Sequence, residues 1–150
     1  MKRKMAALNS KLIVILSCIL LTSCELDVLN NGKLDGNWQL RQIETLATED
    51  ISDMTYSYIY WGIQDELLQV RDIDNSNLKI FFRYNLEGDQ LTIYSPYQAI
   101  TQNELVPVEG IEVLQSLCIT DTEDHFQIEK LNSSTMILKN ASYRLHFRKY

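Results

Sequence analysis

The chain is poor in the residues that most often announce a reaction. It has no Gly-x-Ser-x-Gly elbow, no glycine-rich phosphate loop and no Cys-x-x-Cys pair, which excludes the commonest hydrolase, nucleotide and redox signatures. Only two histidines occur, His125 and His146. Neither stands at a short ligand spacing from the other or from a cysteine, and a zinc site needs at least three protein ligands. No metal or cofactor is therefore expected. Cysteines number three and prolines two among 150 residues. No apolar run reaches the roughly 18 residues that a membrane-spanning helix requires. The longest, Leu12 to Leu21, is interrupted by Ser17 and Cys18 and would rise only about 15 Å as a helix, against a hydrocarbon core of about 30 Å.

That short run is the centre of a three-part leader. Lys2, Arg3, Lys4 and Lys11 supply positive charge without an acid, and Ser23 is a small residue at the end, the form of a secretory signal. Leu21-Thr22-Ser23-Cys24 resembles the lipobox of bacterial lipoproteins, Leu-x-x-Cys with small residues between. The resemblance implies a signal peptide over 1–23, cleavage after Ser23 and lipidation of Cys24. At about 0.8 kcal/mol per buried methylene, several acyl chains hold a protein on a membrane almost irreversibly. The implied address is the cell envelope, with the outer membrane, on its periplasmic or surface face, as the expected site.

Loss of the leader removes four of the 14 basic residues and none of the 20 acids, leaving a formal net charge of −10. Such a field repels phosphate backbones, so nucleic acid is excluded as a partner. Cys18 leaves with the leader, and Cys24 is committed to lipid. Cys118 alone remains, so no internal disulfide is expected. Its setting, Leu117-Cys118-Ile119, is that of an inert core thiol.

Residues 24–35 read as a polar tether containing Asn30-Asn31-Gly32, and residues 36–150 as one folded domain. Within it, period-two alternation recurs. Trp38 and Leu40 alternate with Asn37, Gln39 and Arg41. The segment from Thr45 to Asp53 breaks the pattern and is expected to be a loop or short helix. A strand is expected over Tyr56 to Gln64, with Tyr56, Tyr58 and Tyr60 on one face and Ile59, Trp61 and Ile63 on the other. Leu67 to Val70 continues as a short strand. Leu78, Ile80, Phe82 and Tyr84 share a face of a hairpin that turns at Gly88, which is free to take positive φ. The stretch between Pro96 and Pro107 is expected to carry little regular structure. Ile111 to Ile119 suits a helix and a strand equally. Three strands follow, with turns at Asn132-Ser133-Ser134 and Asn140-Ala141. Seven to nine short strands with turn signals between them and little helix point to an all-β antiparallel barrel or sandwich, and short joints between neighbours favour an up-and-down meander.

Gly36-Asn37-Trp38 on a first strand, with Tyr143-Arg144-Leu145-His146-Phe147 on a last one, resembles the lipocalin-like lipoproteins of Bacteroidetes-type bacteria, relatives of the calycins. The resemblance implies an up-and-down lipocalin-like β-barrel. It also implies that Trp38 closes one end of the barrel and that a basic residue of the last strand packs across it, here Arg144 or Arg148. An arginine over an indole contributes about 0.5–2 kcal/mol.

Candidate chemistry is sparse. Asp72-Ile73-Asp74-Asn75-Ser76-Asn77 begins like a calcium loop but lacks glycine at position six and glutamate at position twelve, and so reads as an Asx-rich turn. Asp65-Glu66 and Glu123-Asp124 are adjacent acids, which a strand would point to opposite faces. The leading candidates for ligand binding are Tyr56, Tyr58, Tyr60, Trp61 and Tyr84, an aromatic wall with hydroxyl tips suited to a small amphipathic or sugar-like molecule. Two functions stay open, neither enzymatic. One is a cup for a small apolar or amphipathic ligand. The other is an accessory subunit docked on another envelope protein through an exposed edge or apolar patch.

Overall fold

The computed structural model describes residues 32–150. The leader, the lipobox with Cys24 and most of the tether lie outside the described residues. Ten antiparallel strands form one sheet: β1 (Gly36–Thr45), β2 (Asp50–Asp53), β3 (Ile59–Gln64), β4 (Leu67–Asp72), β5 (Leu78–Glu87), β6 (Gln90–Thr101), β7 (Glu104–Pro107), β8 (Asp124–Leu131), β9 (Thr135–Lys139) and β10 (Tyr143–Lys149). A short helix, α1 (Glu112–Gln115), precedes β8.

Eight of the strands close on themselves in the order β1-β3-β4-β5-β6-β8-β9-β10, with β10 returning to β1. The fold class read from the sequence is the one observed. β2 and β7 lie off this circuit. β2 extends the far half of β1, and β7 extends the far half of β6, so each forms a hairpin flap on the barrel wall.

The inward face is the apolar alternation of each strand. Trp38, Trp61, Phe82 and Phe126 are the largest side chains with essentially no solvent contact. The Trp61 ring meets Phe126 edge-on at 5.5 Å and Phe147 at 5.2 Å between centroids, separations at which aromatic pairs attract. Among the described residues the buried core runs from Leu34 to Phe147, and a chain starting at Glu25 contains all of it.

Three expectations from the sequence change. Thr45 to Asp53 is the β1–β2 hairpin, turned through Glu49 at φ 58°, rather than a loop or helix. The stretch between Pro96 and Pro107 is mostly strand, because Ser95 takes φ 52° in a bulge that lets β6 continue past Pro96 and fold back as β7. The ambiguous 111–119 segment is helical at its start. It buries Leu114, Leu117 and Ile119, which puts it on the core rather than in the sheet.

Turn chemistry follows the sequence more closely. Gly88 takes φ 63° between β5 and β6. Asp72 Oδ1 accepts the N–H groups of Asp74 and Asn75 in the turn between β4 and β5. Asn132 Oδ1 accepts those of Ser134 and Thr135 in the turn between β8 and β9.

Candidate functional site

Both ends of the barrel are closed. At the end where β1 begins, the Trp38 indole N–H donates to the carbonyl of Leu34 at 2.8 Å, and Leu34 is fully buried. The last residues of the expected tether thus belong to the folded body. Lys149 Nζ lies 4.8 Å from the Trp38 ring centroid and donates to the Lys33 carbonyl at 3.3 Å. Gly36 is required there by its φ of 128°, and a Cβ, 2.5 Å from Lys149 Cε, would also push the lysine aside.

The cation across Trp38 is therefore Lys149, not Arg144 or Arg148. Register decides this, because Trp38 pairs with Lys149 while Arg148 pairs with Gln39 and points outward. Arg144 stands at the opposite end of β10 and binds two carboxylates. It donates twice to Glu44 at 2.8 Å and through Nε to Glu129 at 2.7 Å, tying β1, β10 and β8 together. The guanidinium's hydrogen bond holds the Glu129 carboxyl below its usual range.

The other end is covered by α1 and the residues after it. Leu114, Leu117 and Ile119 enter the core, and Cys118 takes φ 60° between the last two. A buried polar cluster holds this segment down. Asp124 accepts the backbone N–H and the hydroxyl of Thr120 and the N–H of His125, while Asn140 Nδ2 donates to Asp124 Oδ2 and to the Cys118 carbonyl, each at 3.0 Å. Asn140 Oδ1 accepts the N–H groups of Ser142 and Tyr143. Burial pushes the Cys118 thiol up to about 11, as expected of an inert core thiol.

Between these ends the lumen is filled. Trp38, Trp61, Phe82, Phe126 and Phe147 are each 2% exposed or less. A ligand-sized void would leave accessible area on its walls, so these side chains enclose no such space.

The five aromatic ligand candidates do not form one wall. Tyr56 is 89% exposed and lies with Tyr58 in the turn before β3, which starts only at Ile59. Tyr60 faces outward, with Tyr150 edge-on at 5.4 Å and the Arg71 guanidinium 5.6 Å above its ring. Trp61 faces inward and is core. Tyr84 also faces inward, and its hydroxyl donates to the Asp65 carbonyl at 2.7 Å. Burial, reinforced by Asp35, Asp65 and Glu66, pushes its phenol up to about 12.

Two features outside the lumen escaped the sequence. One is a cleft of about 400 Å³ on the outer wall of β1, β3, β4 and β5, lined by Asn37, Gly62, Gln64, Leu67, Gln69 and Phe81 among others. Its floor is the bare backbone of Gly62. Cross-strand register assembles it, because Asn37 pairs with Gly62, Gly62 with Gln69 and Gln69 with Phe81. No linear spacing carries that row. The second is a hydroxyl–imidazole–carboxylate line on β6 and β8. Thr92 Oγ1 lies 3.0 Å from His125 Nδ1, and His125 Nε2 lies 3.7 Å from Glu123 Oε1, an ion-pair separation rather than a hydrogen bond. It is open to solvent. His146 sits apart on β10, opposite Ile137 and Gln42. Among the described residues no group of three metal-ligating side chains occurs.

A closed eight-stranded antiparallel meander, with Gly36-x-Trp38 on the strand that seals one end, defines a lipocalin-type barrel. The chain belongs to the lipocalin-like domain family, whose match spans residues 19–150. Two solved structures share the fold. A lipocalin-like protein from Bacteroides uniformis superposes with a TM-score of 0.62 at 22% identity, covering 79% of this chain and 100% of its own. An uncharacterized protein from Bacteroides eggerthii superposes at 0.52 with 20% identity, covering 77% and 98%. No curated protein matches the chain.

Proposed function

We propose that the protein is a lipid-anchored, non-enzymatic binding protein of the cell envelope, and that its small amphipathic ligand sits on the outer wall of the barrel. The lipobox at Cys24 supports the anchor and the address, with the outer membrane as the expected site. The observation that carries the binding reading is the pairing of a filled lumen with an open cleft of about 400 Å³ over Gly62, a size typical of small-molecule sites. Leu67 and Phe81 give the cleft apolar surface, and Asn37, Gln64 and Gln69 give it hydrogen-bonding edges.

Native mass spectrometry of the chain from Glu25, exported by a lipoprotein-bearing bacterium, tests this. The expected result is a reproducible extra mass, released on unfolding and absent from Gly62→Gln, whose side chain fills the cleft. A bare mass in the unsubstituted chain, or an extra mass that survives the substitution, overturns the reading.

A second reading, an accessory subunit docked on another envelope protein, is favoured by one observation. β7 is an edge strand, and the β6–β7 hairpin exposes Tyr97, Ile100 and Leu105 together. Cross-linking in intact cells from a photoreactive group at position 105 would yield a discrete adduct on this reading, and none otherwise.

A further inference from the structure

We propose that the cleft over Gly62 recognises a neutral sugar, as one pyranose ring or a short chain of them; this rests on the reading of that cleft as the binding site. Two amides converge there. A Cβ on residue 62 would lie 3.1 Å from Asn37 Oδ1 and 4.0 Å from Gln69 Oε1, so both side chains reach over the glycine from opposite strands. Glycine lets the two amides come this close to the strand, so that a ring lies against their outer edges.

An amide carries both donors and an acceptor, and a sugar hydroxyl also donates and accepts, so a pair of amides matches a pair of neighbouring hydroxyls. Beside them stands Phe81, directly across from Gln69 and only half-buried, offering a flat apolar face to the C–H side of a ring. Tyr97 pairs with Phe81 and continues the row onto β6. From Gly62 to Tyr97 the row crosses three strand gaps, about 14 Å at the usual spacing of strands, long enough for more than one ring.

Charge narrows the class. The one ionisable residue lining the cleft is Asp65, and the nearby cations of the same outer face, Arg71, Lys79 and Arg83, stand outside that lining, so a carboxylated or sulfated sugar finds no counter-charge within the cleft. A fatty acid fits no better. Its carboxylate meets the same lining, and its chain would leave the amides unmatched.

The test is an amide NMR titration of the chain from Glu25 with millimolar cellohexaose, maltohexaose and chitohexaose, and separately with decanoate and decanol. At least one hexasaccharide is expected to shift Gly62, Gln69 and Phe81 saturably. Phe81→Ala and Gln69→Leu are each expected to weaken that binding about tenfold or more, with the thermal midpoint little changed. Gly62→Gln gives an independent check by filling the cleft. Shifts of these amides by decanol or decanoate alone would overturn the sugar assignment and leave the small-ligand reading standing. No shift with any probe would overturn both. Sugar-induced shifts that persist in Gly62→Gln would overturn the site.

Discussion

The two ends of the barrel are shut by different means. At the Trp38 end the closure is made by neighbours in the chain. Leu34, Gly36 and Trp38 lie within five residues, and their cationic partner, Lys149, is delivered by the regular pairing of β1 with β10. At the other end a sixteen-residue connection, 108–123, folds over the opening with one turn of helix. Buried polar contacts to Asp124 and Asn140 hold it rather than a sheet ladder. An apolar plug built into the sheet opens only when the barrel unfolds. A segment outside the sheet ladder, held by three buried apolar side chains and a few hydrogen bonds, can open alone. The Trp38 end is therefore expected to be the more persistent of the two.

The largest effect should come from breaking the persistent end. Trp38→Ala removes a fully buried indole and its bond to Leu34, and should cost about 3–5 kcal/mol in urea unfolding. A loss below 1 kcal/mol would mean that this end does not bear on global stability. Next, Asp124→Ala strips the acceptor from Thr120, His125 and Asn140 at once. It should cost about 2–3 kcal/mol. It should also speed alkylation of Cys118 while amide exchange at Trp38 stays governed by global unfolding. Equal acceleration at both ends would abolish the distinction.

Cys118 gives a pH version of the same comparison. Its folded thiol ionises near pH 11 and the unfolded one near 9. Above pH 9 the unfolded state loses its proton first, so this group's contribution is complete below pH 9 and is lost as pH rises towards 11. The loss should be about 2–3 kcal/mol. Chemical unfolding of the unsubstituted chain and of Cys118→Ala across that range should diverge by this amount, and parallel curves would deny it. The smallest effect belongs to the cation at the sealed end. Lys149→Met should cost about 1 kcal/mol in thermal unfolding, since it forfeits a cation–π contact but keeps an apolar stem over the indole.

The same contrast explains what could be read in the sequence. Local signals were legible. The alternation of β5 and of the last three strands, the glycine turn at Gly88 and the Asx turns at Asp72 and Asn132 depend on residues a few places apart. Gly36-x-Trp38 marked the sealed end for the same reason. What depended on register was not legible. The choice of Lys149 over Arg144 and Arg148 turns on which residue of β10 faces Trp38. The tyrosine wall failed because Asp53 Oδ1 accepts the N–H of Thr55 and turns the chain after β2, so Tyr56 and Tyr58 never enter a strand. The cleft was invisible because Asn37, Gly62, Gln69 and Phe81 come from four strands. The lid was ambiguous because its apolar residues fit either period until Asp124, at the start of β8, and Asn140, just after β9, fixed its place.

The pairing of β1 with β10 also sets a clock. Glu44 and Arg144 are 100 residues apart in the chain, and closing the barrel must bring such partners together before the lumen can exclude water. Contacts of that separation slow folding, because loop entropy is lost before any contact compensates for it. Synthesis from the N-terminus yields every inward-facing strand except the last without yielding a closed barrel. Until β10 is available, nothing joins β9 to β1, and the barrel stays open however many of its other strands have formed.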